Sequence, residues 1–173
     1  MSSAPNLSPA AREQLKRLLG FLRPAEGDPT YLVLKAHLLA EEVLYIYVES
    51  RAHRPGPISA ARLSFAQLLA LCRAFHPHSS EDWWVWSALQ KLNSLRNTLA
   101  HNLEPQDLQD RIVELSLFVA DSIGATKDSE IGAAYESLAR GGTHPFVLAL
   151  VALHATVCAT LGFNPEQRWA ALQ

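Results

Sequence analysis

The sequence predicts an all-α, single-domain helical bundle, and three observations carry that prediction. Apolar residues recur at three- and four-residue steps in nearly every segment. Capping residues followed by proline or acids punctuate the chain at helix-length intervals. No segment alternates polar and apolar residues with a period of two, as a half-buried strand would. With 173 residues, about half of them apolar and 18% charged, the chain is expected to form one folded domain over 1–173.

The elements follow in order. Ser8-Pro9 places an N-cap before a proline at the first helical position and opens an amphipathic helix to about Leu22. Asp28-Pro29 repeats the device and starts the longest helix, from Thr30 to about His53. Its expected apolar set is Leu32, Leu34, Leu38, Leu39, Val43, Leu44, Ile46, Tyr47 and Val48. The turn Arg54-Pro55-Gly56-Pro57 stops it. A third helix starts at Ala60 or Ser64 and ends at Phe75, before His76-Pro77-His78. Ser80, with Glu81 and Asp82 after it, caps a fourth that runs from Trp83. Glu104-Pro105 marks a break, and Pro105 to Ile123 forms a fifth. Ser129 to Arg140 reads as a weaker helix ending at Gly141-Gly142. His144-Pro145 opens the last long one, to Leu161, before a short tail from Pro165 to Leu172.

Composition excludes several function classes. The net charge of −2 argues against indiscriminate nucleic-acid binding. The charge is uneven, however: −1 over residues 1–50, +4 over 51–101 and −5 over 102–173. A basic middle third permits a local patch able to hold a polyanion; scattered charges on solvated helix faces are the alternative. The N-terminus shows no basic region leading into an apolar run, so a cytoplasmic location is expected. The run Phe146 to Leu161 is too short for a comfortable membrane span and reads as a buried helix.

Cys72 and Cys158 lie in separate apolar segments and are expected as packed, reduced thiols, with a disulfide as the alternative. Cys72, His76 and His78 have no clear fourth ligand, and no metal or cofactor is expected. Trp83, Trp84 and Trp86 are adjacent, so at least one is expected to face away from its own core, toward an interface. A phosphate-binding P-loop, a dinucleotide fingerprint and a Ser/His/Asp nucleophile setting are absent.

The concentrated chemistry lies at the end of the fourth helix, in Leu92-Asn93-Ser94-Leu95-Arg96-Asn97-Thr98-Leu99-Ala100-His101-Asn102. Leu92, Leu95 and Leu99, continuing Trp84 and Leu89 and reaching toward Leu103, form a core stripe. Asn93, Asn97 and His101, spaced by four, form a polar stripe, with Arg96 beside it. A guanidinium offers fork-shaped donors to phosphate, and an imidazole moves protons near neutral pH. Together they suit metal-free phosphodiester cleavage. Arg96 and His101 nevertheless differ by about 140° around an ideal helix. Either the helix ends near Ala100 and His101 turns back, or the site is assembled with a second chain. The bland reading makes Arg96 an ion-pair partner and His101 a helix C-terminal residue.

Arg96-Asn97-Thr98-Leu99-Ala100-His101 resembles the R-x4-6-H signature of HEPN domains, in the R-N-x-x-x-H form. The segment Tyr31 to Leu44 resembles the long helix that precedes that motif in bacterial members. The resemblance covers about residues 28–123 in helix order and leaves 129–172 as additional C-terminal helices. It implies a homodimer with two motifs lining one cleft. It also implies a metal-independent endoribonuclease, of the kind found in toxin–antitoxin, phage-defence and RNA-processing systems.

Arg96 and His101 would be catalytic, with Asn97, Asn93 and Glu41 supporting, and RNA in single-stranded or loop regions the substrate. An antitoxin or regulatory protein is a further implied partner. One departure stands out: the Tyr that follows two residues after the His in members silenced by a nucleotidyltransferase antitoxin is here Leu103. The alternative within the family is a noncatalytic interaction module of the mannitol-repressor type. A helical adaptor with an accidental motif is the option outside it. His37 and Glu41, four apart, read structurally as a half-buried imidazole paired with an acid; functionally, Glu41 or Glu42 would reach the motif and tune His101.

Overall fold

The structure, a computed structural model, describes residues 9–22, 27–76, 83–102, 105–125 and 144–162. Every regular element among them is helical: α1 (Pro9–Leu22), α2 (Pro29–Arg51), α3 (Gly56–Ala61), α4 (Phe65–Phe75), α5 (Trp84–His101), α6 (Leu108–Ser122) and α7 (Pro145–Leu161). The expected helix at Ser129 to Arg140 and the tail from Pro165 to Leu172 lie outside the described residues, as do the caps Ser8 and Ser80.

Local chemistry sets the helix starts. The Asp28 carboxylate accepts from the Tyr31 backbone N–H at 3.0 Å, and Pro29 begins α2. Ser64 and Gln67 form a capping box that starts α4. His144 Nδ1 accepts from the Phe146 backbone N–H at 3.2 Å ahead of Pro145. Two departures have local causes. The turn after α2 contains a short helix, α3, which the prolines tolerate because Pro55 precedes it as the N-cap and Pro57 sits in its first turn. It ends at Arg62, whose φ of 47° and ψ of 52° are left-handed, and this separates α3 from α4. α6 starts later than Pro105, since residues 106–107 form a turn before it.

Three helices, α2, α5 and α7, touch one another and form the centre. α4 flanks α2 and α5, α6 flanks α5 and α7, and α1 packs on α2 and α7. Buried side chains of α1, α2 and α4 to α7 make one continuous cluster, in which Trp86, Phe146, Leu44, Leu89 and Leu92 are among the largest fully buried. α7 is therefore integral to the core; its side chains from Phe146 to Val151 are all buried. No helix among the described residues is long and apolar enough to cross a membrane.

Several sequence expectations need correction. Leu34 and Leu38, expected on the core face of α2, are 39% and 62% exposed. The three tryptophans all reach the core, to different depths. Trp86 is buried, Trp83 and Trp84 pack partly on the core, and Trp83 meets Trp86 edge-on at 4.9 Å. Trp83 also stacks on His76 at 6.0 Å. The two cysteines are free and buried, which removes the disulfide alternative.

Candidate functional site

α5 carries its core stripe as expected: Leu89, Leu92 and Leu95 are buried and Leu99 packs partly on the core. That anchoring fixes the rotation of the helix and turns the polar stripe outward. Asn93, Asn97 and His101 then line one groove of about 560 Å³ between α4, α5 and α6. Ala66 and Ala70 leave its α4 wall low, while Arg73 from α4 and Arg111 from α6 bring two guanidinium groups to it. Ser94, Thr98 and Asn102 add further hydrogen-bonding groups.

The structure separates the two motif residues. Helix geometry continues through His101, and Asn102 ends it with an extended backbone. His101 thus does not turn back toward Arg96, and the angular offset of about 140° persists. His101 is exposed on the groove side; Arg96 is half-buried and does not line the groove. Its Nη1 donates to Asn97 Oδ1 at 3.3 Å, and its charge is felt by His37 on α2. Among the described residues Arg96 has no ion pair, and the His101 ring has no hydrogen bond. The C-terminal carbonyl of Thr98 is instead met by the backbone N–H of Asn102 at 3.0 Å and its side-chain amide at 3.3 Å. His101 is therefore not used as a carbonyl cap there.

Glu41 does not line the groove that holds His101. Its Oε2 lies 3.6 Å from His37 Nδ1, which matches the structural reading of that pair. His37 is 5% exposed, faces Phe65 with 4.3 Å between ring centroids, and meets Asn93 Oδ1 through Nε2 at 3.1 Å. Burial pushes its imidazole below the ordinary histidine value; the Asn93 contact and Glu41 oppose that, and Arg96 adds to it. Asn93 thereby joins a buried histidine to the groove.

The cations of the basic middle third have different surroundings. Arg51 lies over the Tyr47 ring at 4.9 Å, and Lys91 pairs with Glu114. Arg73 alone of that set lines the groove, and the second cation, Arg111, comes from the acidic C-terminal third. Arg111 is the residue that sequence reasoning missed. Its one local signal is Asp107 four positions earlier, a spacing shared with any exposed helical ion pair.

No metal ligand set assembles among the described residues. Cys72 Sγ donates to the Leu44 carbonyl at 3.4 Å, and His78 lies outside the described residues. Burial pushes the Cys72 thiol up to about 12, which removes it as a nucleophile. The groove can do two things chemically: hold an anion against guanidinium and amide donors, and move a proton through an exposed imidazole. Comparison with known proteins adds no relative: no family model, curated protein or solved structure matches the chain.

Proposed function

We propose that this chain is a metal-independent endoribonuclease of the HEPN type, acting as a homodimer. The observation that carries this reading is the exposed imidazole of His101 in a polar groove that also holds Asn93, Asn97, Arg73 and Arg111. Neutral His101 takes the proton from an RNA 2′-hydroxyl as that oxygen attacks the neighbouring phosphorus. The bond to the 5′-oxygen breaks, and the His101 of a second copy, in its protonated form, supplies that oxygen with a proton. The products are a 2′,3′-cyclic phosphate and a 5′-hydroxyl end. Guanidinium groups stabilise the extra charge on the five-coordinate phosphorus.

Arg96 is on another side of α5, so its contribution to this chemistry comes through the second copy. Asn97 contacts phosphate or orients the imidazole; its amide cannot act as acid or base. The test is cleavage of single-stranded RNA and of DNA of the same sequence in EDTA, with analysis of the ends. RNA cut to cyclic-phosphate and 5′-hydroxyl ends, with intact DNA, is the expected result. Equal cutting of both, or 5′-phosphate ends, contradicts the reading.

A second reading is a noncatalytic interaction module of the mannitol-repressor type. The exposed apolar residues Tyr31, Leu34 and Leu38 along α2 favour it, because such a row suits a protein partner. Under that reading purified protein leaves RNA uncut in every condition.

A further inference from the structure

We propose that Arg111 is the phosphate-holding arginine of the groove and that Asp107 is its positioning residue, so that a single-stranded RNA backbone crosses α5 beside Thr98 and His101. This rests on the reading of the groove as an RNA site.

Arg111 is preorganised. Arg111 Nε donates to Asp107 Oδ2 at 2.7 Å, while Nη1 donates to Thr98 Oγ1 at 2.9 Å and to Ser94 Oγ at 3.4 Å. These contacts come from α5 and from Asp107 in the turn that precedes α6, so the guanidinium plane is held between α5 and the start of α6. An ion pair serving only α6 would need Asp107 alone. The contacts to the hydroxyls place the charge on the same stretch of α5 that carries His101. Nη2 has no partner among the described residues, and the side chain is 39% exposed at the groove wall. A guanidinium already fixed in this way loses little freedom when Nη2 takes a phosphate oxygen, and a lysine could not make the Asp107 and Thr98 contacts and hold a phosphate in one plane. Asp107 removes part of the positive charge and, by holding Nε, sets the direction of Nη2.

The experiment measures binding of a fluorescein-labelled 12-nucleotide 2′-O-methyl RNA, which lacks the attacking hydroxyl, across a salt series in EDTA. Arg111→Met should weaken binding about tenfold or more and reduce the salt slope by about 1. Arg111→Lys should retain the slope yet bind several-fold more weakly than wild type. Asp107→Asn and Thr98→Val keep the arginine charge; each should weaken binding about threefold with the slope unchanged. They carry the test if Arg111→Met fails to fold.

Wild-type binding and slope in Arg111→Met, or in both charge-retaining variants where that protein is unfolded, overturns the proposal while leaving the ribonuclease reading in place. Cleavage of ordinary RNA that is indifferent to His101 overturns that reading without touching the binding result. Failure of the wild type to bind the oligonucleotide overturns both.

Discussion

His37 on α2 and Asn93 on α5, 56 positions apart, meet at 3.1 Å between Nε2 and Oδ1. The imidazole is buried against Phe65, and the amide lies at the groove wall, so this contact links the core to the surface where the candidate chemistry sits. With Nε2 carrying hydrogen, the ring donates to the amide oxygen and leaves the amide NH2 able to serve an anion.

The His37 contact predicts a pH effect with a definite sign. Burial lowers the imidazole pKa in the folded protein below its value in the unfolded chain. The unfolded chain therefore binds more protons below pH ~6.5, and stability present above that value is lost as pH falls. Glu41 and Arg96, the charged groups facing the ring, act in opposite directions on this loss. Urea unfolding between pH 7.5 and 5 should show it, and His37→Gln should have a shallower pH slope. An unchanged slope would show that His37 takes up its proton without loss of stability.

A second acid-sensitive group lies in α7. His154 is held down to about 4 by burial, with Nε2 at 3.4 Å from Cys158 Sγ and Nδ1 without a hydrogen-bond partner. Its stabilising contribution is present above pH ~6.5 and is lost as pH falls toward 4, by about 3 kcal/mol in total. His154→Leu should keep more of its neutral-pH stability at pH 4 than wild type does. A parallel acid loss in both proteins would contradict this assignment.

The cysteines should be chemically silent in the folded protein. Both are buried, and burial pushes each thiol up to about 12. A thiol reagent at pH 8 should label neither in buffer and both in 6 M guanidinium chloride. Rapid labelling of the native protein would show that the core around α4 or α7 opens readily.

The parts of this fold legible in the sequence are those decided within three or four residues. Asp28-Pro29, Ser64 with Gln67, and His144-Pro145 mark helix starts because their bonds reach only to nearby backbone groups. The stripe Asn93, Asn97, His101 was legible for the same reason: a spacing of four fixes a shared face. What that stripe faces was not legible. The approach of Arg73 and Arg111 depends on how α4 and α6 pack on α5, and packing register is set by contacts remote in sequence. Leu34 and Leu38 show the same limit, since apolar spacing marks a face but not whether a neighbour covers it.

If His101 moves protons in a groove that holds RNA, cleavage must depend on its imidazole. Wild type and His101→Ala, matched for helical content and melting temperature, are incubated with single-stranded RNA in EDTA. The wild type should cut the RNA, and the variant should be slower by about 100-fold or more, as expected on loss of an acid–base group. Equal cleavage by the two proteins would contradict the account.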